Sequence, residues 1–137
     1  MKQDSDAAPG IDPLKVLVVA NSPVNRIVVA KIVERSGLQP VAGPPETAAA
    51  MLRPLVPGAV ILDGGADNKA CDILIPAIAA ARRGAGGTLP AVILLSNRTG
   101  TPHSLGLPEI VDVVVAKPIT PEKLQPVIER LIAPARA

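Results

Sequence analysis

The sequence contains no phenylalanine, tyrosine or tryptophan among its 137 residues. Any core must therefore be built from Val, Ile, Leu and Ala. No aromatic platform exists on which bases could stack, which removes the usual surface for single-stranded nucleic acid. The same lack removes the aromatic seat of a flavin site. Cysteine occurs once, at Cys71, so an intrachain disulfide is excluded and a cysteine-based metal site lacks ligands. Neither sign of charge dominates: 14 Lys and Arg stand against 12 Asp and Glu, a net charge of +2. Arg82 and Arg83 form the only adjacent basic pair, which reads as a solvated helix end. Binding of a phosphate backbone asks for more basic residues on one face, so no DNA partner is expected. No apolar run approaches the roughly 20 residues of a membrane span. The opening stretch MKQDSDAAPGID is polar and has no apolar signal region. These absences lead to the expectation of a cytoplasmic chain without membrane contact.

What is present is aliphatic. Hydrophobic residues make up 48% of the chain, enough for one globular domain at a length too short for two ordinary ones. Residues 1–13 read as a flexible tail, 14–133 as the folded domain and 134–137 as a second tail. Four short apolar runs read as buried strands: KVLVV at 15–19, AVIL at 59–62, AVILL at 91–95 and DVVVA at 112–116. A fifth, LQPVA at 38–42, holds a proline and belongs at a sheet edge. None alternates cleanly with polar residues, so both faces should be covered, as in a parallel sheet flanked by helices.

Helical stretches lie between these runs. In 22–37, Ser22 can cap, Pro23 suits the first helical position and Gly37 can end the helix. Val24, Ile27, Val28 and Ile32 fall on one face. Residues 45–53 form a short second helix. A third helix capped at Asp72 places Pro76 in its first turn, where no intrahelical bond is lost, and leaves 63–72 as a loop. The segment 97–110, with two prolines and two glycines, is at most a poor helix. Thr120 caps the last helix ahead of Pro121. That helix carries Leu124, Val127, Ile128 and Leu131, and Pro126 should kink it or delay its start. The glycines at 84–87 follow no strand and precede no helix, so they make a loop and not a phosphate cradle. Five strand–helix units joined by right-handed crossovers give an α/β, three-layer, doubly wound sheet.

Ligands of such sheets sit beyond the carboxyl ends of the strands. After the first strand come Ala20 and Asn21, after the third Asp63, after the fourth Ser96 and Asn97, and after the fifth Lys117 and Pro118. An aspartate, a hydroxyl and an ammonium thus gather on three strand ends. The Lys117–Pro118 bond, directly after a buried strand, invites a cis peptide.

These landmarks together resemble the response-regulator receiver domain, the phospho-accepting module of two-component signalling. The resemblance rests on VLVV followed by SPVNR at 16–26, VILD at 60–63, ILLS at 93–96 and VAKP at 115–118. SPVNR is closest in style to receivers attached to hybrid histidine kinases. The resemblance implies a single five-stranded parallel sheet of order 2-1-3-4-5, the flavodoxin-like receiver fold. It implies that Asp63 stands at the phospho-acceptor position, Ser96 at the hydroxyl that closes on the phosphoryl group, and Lys117 at the lysine that pairs with it. Gly65 would offer a backbone carbonyl to magnesium.

The chain departs from that pattern at the metal. The family usually has two acidic residues after the first strand, and here they are Ala20 and Asn21. Mg²⁺ wants oxygen ligands and offsets the charge that builds up in phosphoryl transfer. Asn21, Asp63 and Gly65 would make at best a weakened Mg²⁺ site, and Asp67 in the loop reads as a solvated charge. Asp63 beside Lys117 is balanced without metal, so a structural ion pair is its plain alternative reading. Val114 stands where the family often has a Tyr or Phe that swings inward on phosphorylation, and the helix between the fourth and fifth strands is weak. His103, the sole histidine, reads as a surface residue and not as a phospho-relay histidine.

Two readings follow. In one, the chain is a pseudo-receiver, not an enzyme, that acts by docking a histidine kinase, another signalling protein or a small anionic ligand, with Mg²⁺-dependent phosphorylation impaired. In the other, Asp63 still accepts phosphate from a histidine kinase or phosphorelay partner. A homodimer would form through the last strand and last helix. A third reading, an unrelated flavodoxin-like enzyme, lacks both a phosphate loop and a flavin platform.

Overall fold

The computed structural model describes residues 12–55, 57–65, 69–84 and 90–136, with the backbone alone at residues 53, 55 and 133–136. Five strands form one sheet: β1 (Asp12–Val19), β2 (Gln39–Gly43), β3 (Pro57–Asp63), β4 (Ala91–Ser96) and β5 (Val113–Ala116). Their order is β2-β1-β3-β4-β5, and every pairing is parallel. This is the expected topology, with the proline-bearing β2 at an edge. β1 begins at Asp12, which pairs with Pro57, so the last two residues of the expected tail, Asp12 and Pro13, already belong to the sheet.

The apolar runs bury both faces because successive side chains alternate across a strand. Val16, Val18, Ile61, Ile93 and Leu95 join one cluster, and Leu17, Val19, Val60, Leu62, Val92 and Leu94 join the other. The first cluster is closed by α1 (Pro23–Arg35) and α4 (Pro121–Arg136), the second by α2 (Pro45–Leu55) and α3 (Ile75–Gly84). Each fully buried Leu or Ile contributes about 1.5–3 kcal/mol of transfer free energy, which is how a core without aromatic side chains can hold the sheet.

The caps follow the sequence. Ser22 Oγ accepts the Asn25 backbone N–H at 3.2 Å, and Gly37, at φ 82°, ends the turn after α1. Thr120 takes the N–H groups of Lys123 and Leu124 on its carbonyl. The Lys117–Pro118 peptide is cis, as anticipated.

Several expectations are corrected. Of the four apolar α1 residues placed on one face, only Ile32 is buried. Val24, Ile27 and Val28 are exposed, and Val29 and Val33 take the inward positions. Residues Asp72–Leu74 form a 3-10 turn ahead of α3 and do not cap it, although Pro76 does fall in the first turn of α3 as expected. α4 starts at Pro121 without delay and continues through Pro126, which lies on its exposed side, where water can satisfy the carbonyl that loses its partner. α4 also runs to Arg136, so residues 134–136 are helical and not a tail.

The largest difference is between β4 and β5. No helix forms there among the described residues; the connection is a series of turns. Pro102 and Pro108 remove two donors, and Gly106 takes φ 67°, so the segment cannot sustain a helical ladder. Among the described residues the five strand–helix units therefore reduce to four α-helices. The connection still covers its face with Leu107, Ile110 and Val111, which pack into the second cluster.

Candidate functional site

β3 carries Asp63 to the carboxyl edge of the sheet as its last residue, and it is buried there. A buried carboxylate demands donors, and three converge on it. Lys117 Nζ, one residue beyond β5, donates to Oδ1 at 2.6 Å. The Gly65 N–H donates to the same oxygen at 3.0 Å, which the positive φ of Gly65 (70°) allows. Asn25 Nδ2, from the first turn of α1, donates to Oδ2 at 2.8 Å. Burial pushes the Asp63 carboxyl pKa up, but the bonds from Lys117, Gly65 and Asn25, with the lysine charge, outweigh it and hold the pKa below the ordinary aspartate value.

The neighbouring strand ends are tied to this pocket. The Lys117 N–H donates to the Ser96 carbonyl at 2.8 Å, and the Gly64 N–H to the Leu95 carbonyl at 3.0 Å. Ser96 is fully buried, and its Oγ accepts the Arg98 N–H at 3.0 Å. Asn97 Nδ2 donates to the Gly65 carbonyl at 3.4 Å. Cys71, which is buried, donates its thiol to the Asp63 carbonyl at 3.3 Å. Burial, then the charges of Asp63 and Asp72, push the Cys71 thiol up to about 12.

Asp63 and Lys117 thus meet as the sequence implied, and Ser96 sits beside them at the end of β4. Asn21 does not join them. It is exposed, no hydrogen bond links its side chain to Asp63, and its carbonyl accepts from Arg26 at 3.4 Å. The same guanidinium binds the Ala20 carbonyl at 2.6 Å, so a fixed cation lies against the end of β1. Asp67, Gly86 and Gly87 lie outside the described residues. His103 is exposed in the β4–β5 turns.

The sequence reading passed over Asn25. It lies inside the SPVNR stretch, and its signal was its place in the first turn of a helix that begins at the sheet's carboxyl edge. Beside Asp63 a cavity of about 250 Å³ opens between α1 and the segment after β5, walled by Val28, Val29, Leu95, Pro118 and Ile119, with Asn25 and Lys117 at its polar end.

No family model matches the chain, and no curated protein does. Solved structures do. The chemotaxis response regulator CheY4 of Vibrio cholerae aligns with a TM-score of 0.67 and 18% identity over 85% of this chain and 97% of that one. A response regulator from Thermotoga maritima aligns with a TM-score of 0.65 and 20% identity, covering 87% and 97%. The pseudo-receiver domain of the CikA protein aligns with a TM-score of 0.61 and 17% identity, covering 85% and 95%. The chain has the receiver fold, and both receivers and a pseudo-receiver stand among its structural neighbours.

Proposed function

We propose that this chain is an atypical receiver of two-component signalling, a pseudo-receiver that works by docking and not by Mg²⁺-dependent phosphorylation. The observation that carries this reading is the engagement of Asp63 by the chain's own donors. Both carboxylate oxygens already hold donors, and its charge is met by Lys117 at 2.6 Å.

The oxygens present do not fit Mg²⁺. The ion asks for several oxygen ligands in near-octahedral order and favours carboxylates. Among the described residues no three His, Cys, Asp or Glu side chains lie together. The Gly65 carbonyl is engaged by Asn97, Ala20 has no donor atom, and Arg26 brings a positive charge to the end of β1. Phosphoryl transfer to an aspartate builds negative charge that a bound cation normally offsets. Lys117 already neutralises the Asp63 carboxylate, so its single positive charge offsets less of that build-up than a divalent ion would.

The docking half of the proposal draws on α1. Val24, Ile27 and Val28 are 67%, 61% and 41% exposed, an apolar stripe at helical spacing whose Val28 also lines the Asp63 cavity. Such a stripe suits the apolar face of a partner helix. The partner class is a signalling protein such as a histidine kinase.

The test is NMR with beryllofluoride, a stable mimic of the aspartyl phosphate, with and without Mg²⁺, using Asp63→Asn as control. The pseudo-receiver leaves the amides of residues 63–65, 96 and 117 unmoved. Shifts there that require both Mg²⁺ and Asp63 would establish the alternative, a working phospho-acceptor.

A further inference from the structure

A second cavity, of about 530 Å³, opens at the carboxyl edge of the sheet on the opposite face from the α1 stripe. Its walls are Lys69 and Asp72 ahead of α3, the start of α3 and the turns that stand in place of a helix between β4 and β5. Its volume lies in the range of small-molecule sites, roughly 300–1,000 Å³. Apolar surface comes from Ile75, Leu105, Leu107 and Pro108. The charged lining is Lys69, Arg98 and Asp72, two cations to one anion.

Arg98 decides the chemistry. Its backbone N–H is bound to Ser96 Oγ, which fixes where the residue leaves the strand. Its side chain is exposed and makes no hydrogen bond or ion pair among the described residues. A guanidinium presents a planar fork of donors suited to a carboxylate or phosphate. The amino end of α3 faces the same space through Ile75 and Pro76 and adds a positive partial charge. With no aromatic side chain in the protein, no aromatic face stacks a nucleobase. What remains is an aliphatic wall with a cationic rim.

We propose that this cavity binds a small amphipathic anion, a carboxylate or phosphate monoester head on an aliphatic body, with Arg98 holding the head and Leu105 and Leu107 the body. The site differs from the Asp63 pocket and does not depend on how Asp63 is read. It is nonetheless joined to that pocket. Arg98 is bonded to Ser96, Asn97 to Gly65, and the Ala70 N–H to the Gly64 carbonyl. A ligand that reorders the turns 98–108 therefore pulls on both loops that frame Asp63.

The experiment is a titration of the whole chain, followed by amide NMR shifts, with three probes of one chain length: octanoate, octyl phosphate and octanol. The expected result is saturable shifts at residues 69–75, 98 and 105–107 for at least one anion, with octanol at least tenfold weaker. Comparison of octanoate with octyl phosphate assigns the head group. Arg98→Gln, a surface change, should weaken the anion at least tenfold and leave octanol unaffected. Leu105→Asn should weaken all three. Absence of saturable shifts overturns the proposal. So do equal affinities for octanol and the anions, or anion binding that Arg98→Gln does not alter.

Discussion

Lys117 Nζ lies 2.6 Å from Asp63 Oδ1, a pair made across 54 residues of sequence with β4 standing between the two strands that carry it. The lysine side chain is 22% exposed and the aspartate 7%, so the pair is mostly shielded from solvent. Lys117→Met should leave a buried carboxylate with only neutral donors and cost roughly 1.5–3 kcal/mol in urea unfolding at neutral pH. The double variant Asp63→Asn, Lys117→Met should cost less than the sum of its parts. Strict additivity would mean the two groups do not depend on each other. The pair also fixes a pH dependence. The folded pKa of Asp63 is depressed, so its contribution is complete above the unfolded value, roughly 4, and is lost as pH falls through the folded value. The stability gap between the wild type and Asp63→Asn should stay level above about pH 5 and close below about pH 4.

Placing carboxylates at positions 20 and 21 should create the metal dependence that a pseudo-receiver is proposed to lack. Ala20 is buried at the end of β1. In Ala20→Asp, Asn21→Asp, new carboxylates meet Asp63 without enough positive charge, so the variant should melt several degrees lower in EDTA. Mg²⁺ should return most of that loss, because binding to the native state stabilises it. The melting temperature of the wild type should not respond to Mg²⁺.

Cys71 should be inert. Its thiol, pushed up to about 12 by burial and by the charges of Asp63 and Asp72, leaves on the order of one thiolate in ten thousand at pH 8. Ellman's reagent should label it only as fast as the protein opens. Prompt stoichiometric labelling of the folded protein would contradict the burial of Cys71 against Asp63.

The opposite end of the sheet has its own clamp. Arg82, in the last turn of α3, donates to Asp112 Oδ2 at 2.8 Å and to the Pro90 carbonyl at 2.9 Å, and the Val92 N–H shares the same carboxylate oxygen. Asp112→Ala strips a partner from a half-buried guanidinium and from a strand-edge amide. It should lower stability by roughly 1.5–3 kcal/mol, read as an unchanged denaturant slope with a lower midpoint.

The strands and the Asp63–Lys117 pair were legible because each rests on a local rule. Val, Ile and Leu in unbroken runs are buried on both faces, and a parallel sheet must gather its strand ends on one edge. The α1 face was not legible. Val24, Ile27, Val28, Val29, Ile32 and Val33 encircle much of the helix, so spacing alone allows two inward faces, and only packing on the sheet selects Val29, Ile32 and Val33. The role of Asn25 was hidden for a related reason, since it depends on how far the first turn of α1 leans over β3. In the β4–β5 connection, Pro102, Pro108, Gly100 and Gly106 correctly signalled a weak helix. That none forms depended on how much burial Leu107, Ile110 and Val111 achieve in turns.

The central claim is that the Asp63 pocket is neutralised by the chain itself and does not select a divalent ion. Mn²⁺, a paramagnetic stand-in for Mg²⁺, tests it most directly through amide NMR line widths. The account predicts no selective, saturable broadening at residues 20, 21 and 63–65 in the wild type, and such broadening in Ala20→Asp, Asn21→Asp. Saturable broadening of those amides in the wild type, reversed by excess Mg²⁺ and absent in Asp63→Asn, would contradict it.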